Sequence, residues 1–331
     1  MNPREAIAST FRYEPTPIVP YWLPMEPDVA SRVEEHYGLS TWSEKLIPFV
    51  MGGFPVGGAG TLDLPGGLKK SPYGTVYQPG PAPHIVKPAL PRASLAGYRW
   101  PSADSLADYD RLSIEYSAFP GFRLCGMAYG LFERSWDLRG FGNLAVDMVD
   151  APEFVAELMD EYTNLHLQVY DLLVQRVPFE AFFGWGDDCD QRGPMMGIRR
   201  WRKFIKPRMA RILDHAHALG KPFVAHMCGN VMPLIDDLLE IGLDALESLQ
   251  AEAMDVYALK RKVEGRMVLI GGMGVQSTLP FGTPADVREE ASHLMRELGR
   301  GGGYVIAPCK AMLADTPTEN AVAFVEAVTN Q

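Results

Sequence analysis

The chain has 331 residues, 47% of them hydrophobic, with a formal net charge of −10 and an isoelectric point near 5.2. This length and apolar content support one large core, so a single domain over 1–331 is expected, while the acidic balance disfavours nucleic acid or an anionic membrane as partner. The opening MNPREAIASTF has no apolar core of signal length and no run of 18 apolar residues occurs, so a soluble, cytoplasmic protein is expected.

In chain order, PIVPYWL (17–23) reads as a first strand-like run. Residues 52–83 are rich in Gly and Pro, and read as a long loop with a hairpin around SPYGTVYQPG (71–80), lying over one mouth of the domain. FRLCGM (122–127) reads as a strand that buries Cys125 as a small side chain. In 152–177, Phe154, Leu158, Tyr162, Leu165, Val169 and Leu172 recur at spacings of three and four, the period of an amphipathic helix. FEAFFGW (179–185), KPFVAHM (221–227), DALESL (244–249), RMVLIGG (266–272) and GYVIAP (303–308) read as further strands. Between them, 201–220 reads as a helix stopped at Gly220, and 283–298 as a helix opened by a Thr-Pro pair. Strand-helix units repeated to the C-terminus predict an α/β fold, a single (β/α)8 TIM-type barrel, with a doubly wound open sheet as the second choice.

Barrel active sites gather at the carboxyl ends of the strands, and there the sequence sets chemistry-bearing residues. KPFVA leads into His226 and Cys228, DALES contains Glu247, and GGGYVIAP leads into Cys309. One imidazole, two thiols and a carboxylate suit a four-coordinate Zn2+ ion, and an adjacent cation or metal supplies the thiolates at neutral pH. The alternative is three buried core residues. Asp187 and Asp188 follow another strand and are candidate catalytic acids that could orient substrate, receive a proton or brace a metal-bound group, or else cap a helix. Cys189, next to them, could replace Glu247 as fourth ligand. Four cysteines, Cys125, Cys189, Cys228 and Cys309, in so long a chain do not form a disulfide framework. Tyr21, Trp22, Tyr129, Phe183 and Trp185, at strand or loop ends, could wall a small substrate or simply pack the core. GGLKKS, GGMG and GGGY lack the spacings of phosphate or dinucleotide loops. His215 and His217 are two apart on a helix and cannot chelate one ion; His217 suits the negative helix end.

The segments GLFERSWDLRGFGNLAVDMVDAPEFVAELMD, FFGWGDDCDQRG, HMCGNVMPLIDDLLEIGLDALESLQ, LIGGMGVQSTLPFGTPADVREE and GGGYVIAPCKAMLADTPTENAVAFVEAV resemble the uroporphyrinogen decarboxylase superfamily over nearly the whole chain. The His-x-Cys pair and distal Cys are similar to its corrinoid-linked methyltransferase branch, the methylcobamide:coenzyme M and methoxy-compound demethylating type. The order of His226, Cys228, Glu247 and Cys309 also resembles that of cobalamin-independent methionine synthase. The resemblance implies a zinc-bearing barrel that moves methyl groups, from a methylated, notably methoxylated, small molecule to a corrinoid (cobalamin) carried by a partner protein. The reverse direction, from methylcobamide to a zinc-bound thiol, stays open, as do a metal-free decarboxylase and a non-enzymatic barrel with a structural zinc. The decarboxylases' amino-terminal Arg-Gln-Ala-Gly-Arg stretch is replaced here by VPYWLPMEP, which argues against tetrapyrrole decarboxylation.

Overall fold

The structure, a computed structural model, describes residues 2–40, 49–80, 83–127 and 130–331. In chain order, helices α1 (Pro3–Phe11) and α2 (Pro27–Tyr37) precede strand β1 (Val50–Val56). Four short strands follow, β2 (Leu62–Leu64), β3 (Leu68–Lys70), β4 (Val76–Gln78) and β5 (His84–Lys87). The chain continues through α3 (Tyr109–Ala118), β6 (Phe122–Met127), α4 (Leu131–Arg139), α5 (Phe141–Asp150), α6 (Pro152–Arg176) and β7 (Ala181–Trp185). A small hairpin, β8 (Cys189–Asp190) and β9 (Gly193–Pro194), leads to α7 (Ile198–Phe204), α8 (Lys206–Ala218) and β10 (Phe223–His226). The last part is α9 (Ile235–Glu240), β11 (Ala245–Leu249), α10 (Val256–Val263), β12 (Val268–Met273), α11 (Thr278–Phe281), α12 (Pro284–Leu298), β13 (Tyr304–Pro308) and α13 (Thr318–Thr329).

Seven strands form one curled parallel sheet in the order β1-β6-β7-β10-β11-β12-β13. Strands β6, β11, β12 and β13 are buried along their whole length, and β12 and β13 accordingly read as unbroken apolar runs rather than as alternating ones. The eighth stave is the segment at Tyr21. It bridges Ile306 in parallel, with Trp22 N–H donating to Ile306 O and Ile306 N–H donating to Pro20 O, both at 2.9 Å. On its other side Tyr21 meets Phe49 edge-on at 4.9 Å, and the Trp22 ring occupies the space a Cβ on Gly52 would need. The fold is a (β/α)8 TIM-type barrel. The strand expected over 17–23 is reduced to this single bridge because Pro17, Pro20 and Pro24 have no amide hydrogen to donate.

Two further expectations are corrected. Of the long loop with a hairpin expected over 52–83, the hairpin is present as the antiparallel pair β3 and β4, but the rest is the greater part of β1 followed by β2, and β2 to β5 make a four-stranded antiparallel sheet. Gly52, Gly53 and Pro55 disguise β1, and strands of three or four residues are too short to display a period of two. The single helix expected over 201–220 is two, broken at Ile205, with Pro207 seated in the first turn of α8, where a missing N–H costs nothing. Its stop is as expected: Gly220 is left-handed (φ +72°) and Lys221 N–H closes on Ala216 O at 3.0 Å. The Thr-Pro opening of α12 is also realised, since Thr283 and Asp286 exchange side-chain and backbone hydrogen bonds.

One close approach fixes the barrel wall beside the site. A Cβ on Gly126 of β6 would sit 1.6 Å from Phe183 O of β7, so only glycine lets these two strands meet as they do.

Candidate metal centre

His226 is the last residue of β10, and Cys228 stands two residues beyond it. The chain then turns at Gly229 (φ +83°), where a Cβ would lie 2.5 Å from Asp190 O, so glycine allows this turn to rest on the β8 hairpin. Among the described residues, one group of three potential metal donors converges: Asp187, His226 and Cys228, with donor atoms within 4.8 Å of one another. The Cys228 thiol donates to Asp187 Oδ1 at 3.2 Å. Glu247 lies in register with His226 on the adjacent strand β11, and its carboxylate contacts His226 Nδ1. Burial opposes charge on the His226 ring, but Glu247, Cys228 and Asp187 together outweigh it and hold the imidazole well above its ordinary pKa.

Cys309 follows β13, and its N–H donates to Met273 O at 3.1 Å. Its thiol faces Glu252 Oε2 at 3.9 Å, outside the converging group of three. Burial, then the fields of Glu252, Glu247 and Cys228, push it up to about 12, so this sulfur becomes a thiolate at neutral pH only beside a cation. The Ser248 hydroxyl donates to the Cys309 carbonyl, tying the ends of β11 and β13. Cys189 is buried on β8 and is likewise outside the group; burial raises its thiol pKa, then Asp188.

Asp187 and Asp188 face different spaces. Asp187 reaches the donor group and also lines a cavity of about 580 Å3 beneath the antiparallel sheet. Asp188 is buried, accepts from Trp201 Nε1 at 2.9 Å, and lines a separate small pocket of about 50 Å3 shared with His166. Burial pushes its carboxyl up to about 6 against the Trp201 hydrogen bond. Neither acid caps a helix, since α7 begins only at Ile198.

The sequence reading missed Glu133. Its Oε2 accepts from Gly130 N–H at 3.0 Å and from Asp187 N–H at 3.5 Å, pinning the Asp187 loop to the first turn of α4. Burial, then Asp187, pushes this carboxyl up to about 7. An acid three residues past Gly130 at a helix start was the available signal, although glycine has no side chain to complete a reciprocal box.

Of the proposed aromatic wall, Phe183 stacks on Phe54 at 4.3 Å and meets Trp22 and the His226 ring edge-on at 6.0 and 6.4 Å. Phe54 is a second omission, hidden in the disguised strand. Tyr21 belongs to the barrel closure, while Tyr129 and the Trp185 side chain lie outside the described residues. His215 and His217 pair separately, with Asp171 at 2.9 Å and Asp244 at 2.7 Å, and share no ion.

The sequence profile described as uroporphyrinogen decarboxylase (URO-D) matches residues 117–331. The chain belongs to this family. Within the URO-D family it is 32% identical to a uroporphyrinogen decarboxylase of Psychromonas ingrahamii over 142 residues, 42% of this chain and 39% of that protein. It is 26% identical to a methylcobamide:CoM methyltransferase of Methanosarcina barkeri over 133 residues, 40% of this chain and 37% of that protein. The matched stretch thus spans under two-fifths of either relative's length. In structure, a methyltransferase from Methanosarcina mazei superposes with a TM-score of 0.72 over 100% of this chain and 99% of that one, at 17% identity. At that identity the likeness shows the URO-D barrel fold alone. Among the described residues, no helix is long and apolar enough to cross a membrane.

Proposed function

We propose that the protein is a zinc-dependent methyltransferase of a corrinoid system, moving a methyl group from a methylated small molecule to the cobalt of a corrinoid protein. The observation that carries this reading is the convergence of Asp187, His226 and Cys228 just beyond or at the carboxyl ends of β7 and β10, with Cys309 just past β13; Glu247, expected at a strand end, lies instead in the middle of β11, in register with His226. This donor set fits zinc: imidazole, thiol and carboxylate are its ordinary ligands, and the raised Cys309 thiol is one that a metal would deprotonate. His226, Cys228, Glu247 and Cys309 are the proposed ligands, with Asp187 as the competing oxygen donor.

Zinc, when bound, would supply Lewis acidity to the heteroatom that leaves the methyl carbon. The chain's own residues do the positioning. Glu247 fixes the His226 ring through Nδ1. Glu133 holds the Asp187 backbone, and through it the carboxylate beside Cys228. Phe183 and Phe54 exclude water from one side of His226. A corrinoid partner, when docked, would supply the electron pair for the new bond to the methyl carbon, and the heteroatom would leave with the old carbon–heteroatom pair and take up a proton.

The reverse transfer, from methylcobamide to a thiol, is the second reading, favoured by the similarity to the methylcobamide:CoM methyltransferase. Decarboxylation is the third, favoured by the uroporphyrinogen decarboxylase match and weakened by VPYWLPMEP at 19–27. Corrinoid absorbance followed beside carbon dioxide release, with and without chelator, separates them. Methylcobalt formation that needs the partner and stops with chelator or Cys228→Ser supports the first reading, and methylcobalt loss on adding a thiol supports the second. Chelator-insensitive carbon dioxide release without any methylcobalt would falsify both.

A further inference from the structure

The cavity of about 580 Å3 lies between the antiparallel sheet and α4, opens beside the end of β1 at Gly57, and reaches Asp187. Its size falls within the range of small-molecule sites, roughly 300–1,000 Å3. Ile85 and the Trp136 ring give it apolar walls, and Thr61, Ser71 and Tyr77 supply hydroxyls. Among the described residues, the cation of this wall is Arg134, and it is already committed. Its Nη1 bonds Asp137 Oδ2 at 2.7 Å, its guanidinium lies 3.7 Å from the Tyr73 ring centroid, and its side chain is only 3% exposed.

We propose that this cavity is the substrate site and that it takes an uncharged methylated molecule with an apolar or aromatic body, rejecting anions of the same shape. The inference rests on the methyl-transfer reading above and narrows its substrate class. An anion entering here would leave water to face Asp137 and Asp187, and among the described residues this wall offers it no unmatched cation, so away from the proposed zinc its desolvation goes uncompensated. An uncharged body loses little water, packs on Trp136 and Ile85, and can hydrogen-bond to the hydroxyls. Asp187, shared between this wall and the donor group, directs the reacting end towards Cys228 and His226.

The test is a binding measurement by titration calorimetry on the full chain, with 4-methoxybenzyl alcohol and 4-methoxybenzoate as probes of like size and different charge. The alcohol should bind tighter by about tenfold or more, the least expected from one uncompensated polar burial. Trp136→Ala should weaken the alcohol severalfold. Asp137→Asn, which releases Arg134 from its partner, should narrow or reverse the preference. If that variant does not fold, Ser71→Lys places a cation in the same wall and should do likewise. Equal or tighter binding of the carboxylate, binding of neither probe, or alcohol binding indifferent to Trp136→Ala would each overturn the proposal. Because no corrinoid or turnover is involved, methyl transfer that fails while the alcohol still binds counts against the reaction alone. Methyl transfer that proceeds while the probes fail counts against the pocket alone.

Discussion

His226 and Glu247 stand in register across β10 and β11, and the Glu247 carboxylate engages the ring at Nδ1. A carboxylate so placed sets the ring's orientation and tautomer whether or not it also ligates the metal. Glu247→Gln should therefore lower zinc affinity by about 10- to 100-fold while leaving the melting temperature nearly unchanged. Competition against a chromophoric chelator measures the first and calorimetry the second. Affinity equal to that of the unaltered chain would remove Glu247 from the site.

The purified chain should carry about one zinc ion, and Cys228→Ser should lose most of it. X-ray absorption distinguishes the remaining donors. Two sulfur ligands place Cys309 beside Cys228, one sulfur favours Asp187 in its place, and three would bring in Cys189.

Trp201 is fully buried and gives its indole N–H to Asp188. Trp201→Phe keeps most of the packing but strands this carboxylate, so a loss of about 1–3 kcal/mol is expected in urea unfolding at neutral pH. Asp188→Asn in the same background should recover part of it. No recovery would mean that the loss comes from packing.

His166 lies buried between Tyr162 and Tyr170 with neither ring nitrogen hydrogen-bonded, and burial, then Arg134, lowers its pKa to about 3 from 6.5. The folded chain therefore keeps the ring neutral where the unfolded chain protonates it. Its contribution to stability is complete above pH 6.5 and is lost as pH falls towards 3, by about 1.4 kcal/mol per pH unit. His166→Leu should flatten this part of the stability profile. An unchanged slope would show that the group is solvated.

Gly126→Ala would drive a Cβ into the Phe183 carbonyl. The two strands must separate, so a loss above about 3 kcal/mol is expected, with failure to accumulate as soluble protein as the practical readout.

The barrel was legible in the sequence because β6, β7 and β10 to β13 are compact apolar runs that end at polar or turn residues. The same logic placed His226 and Cys228 correctly at the end of β10 and after it. Where it stopped was physical. β1 contains Gly52, Gly53 and Pro55, and the sheet over the cavity has strands too short to show alternation, so the residues 52–83 read as loop. That Asp187 and Asp188 address different spaces depends on the path of the chain after β7, which no spacing encodes. Glu133 acts across 54 residues of sequence through a backbone hydrogen bond, a contact that only the folded arrangement creates.

The Tyr21 bridge has a consequence for biosynthesis. The stave that completes the cylinder is translated well before its hydrogen-bonding partner, Ile306 on β13, with six of the barrel's strands between them. Until β13 emerges the stave lacks the partner that its backbone groups bond, so closure must wait for that strand. Severing the chain after Leu298 should thus leave an open, aggregation-prone sheet rather than a smaller stable barrel.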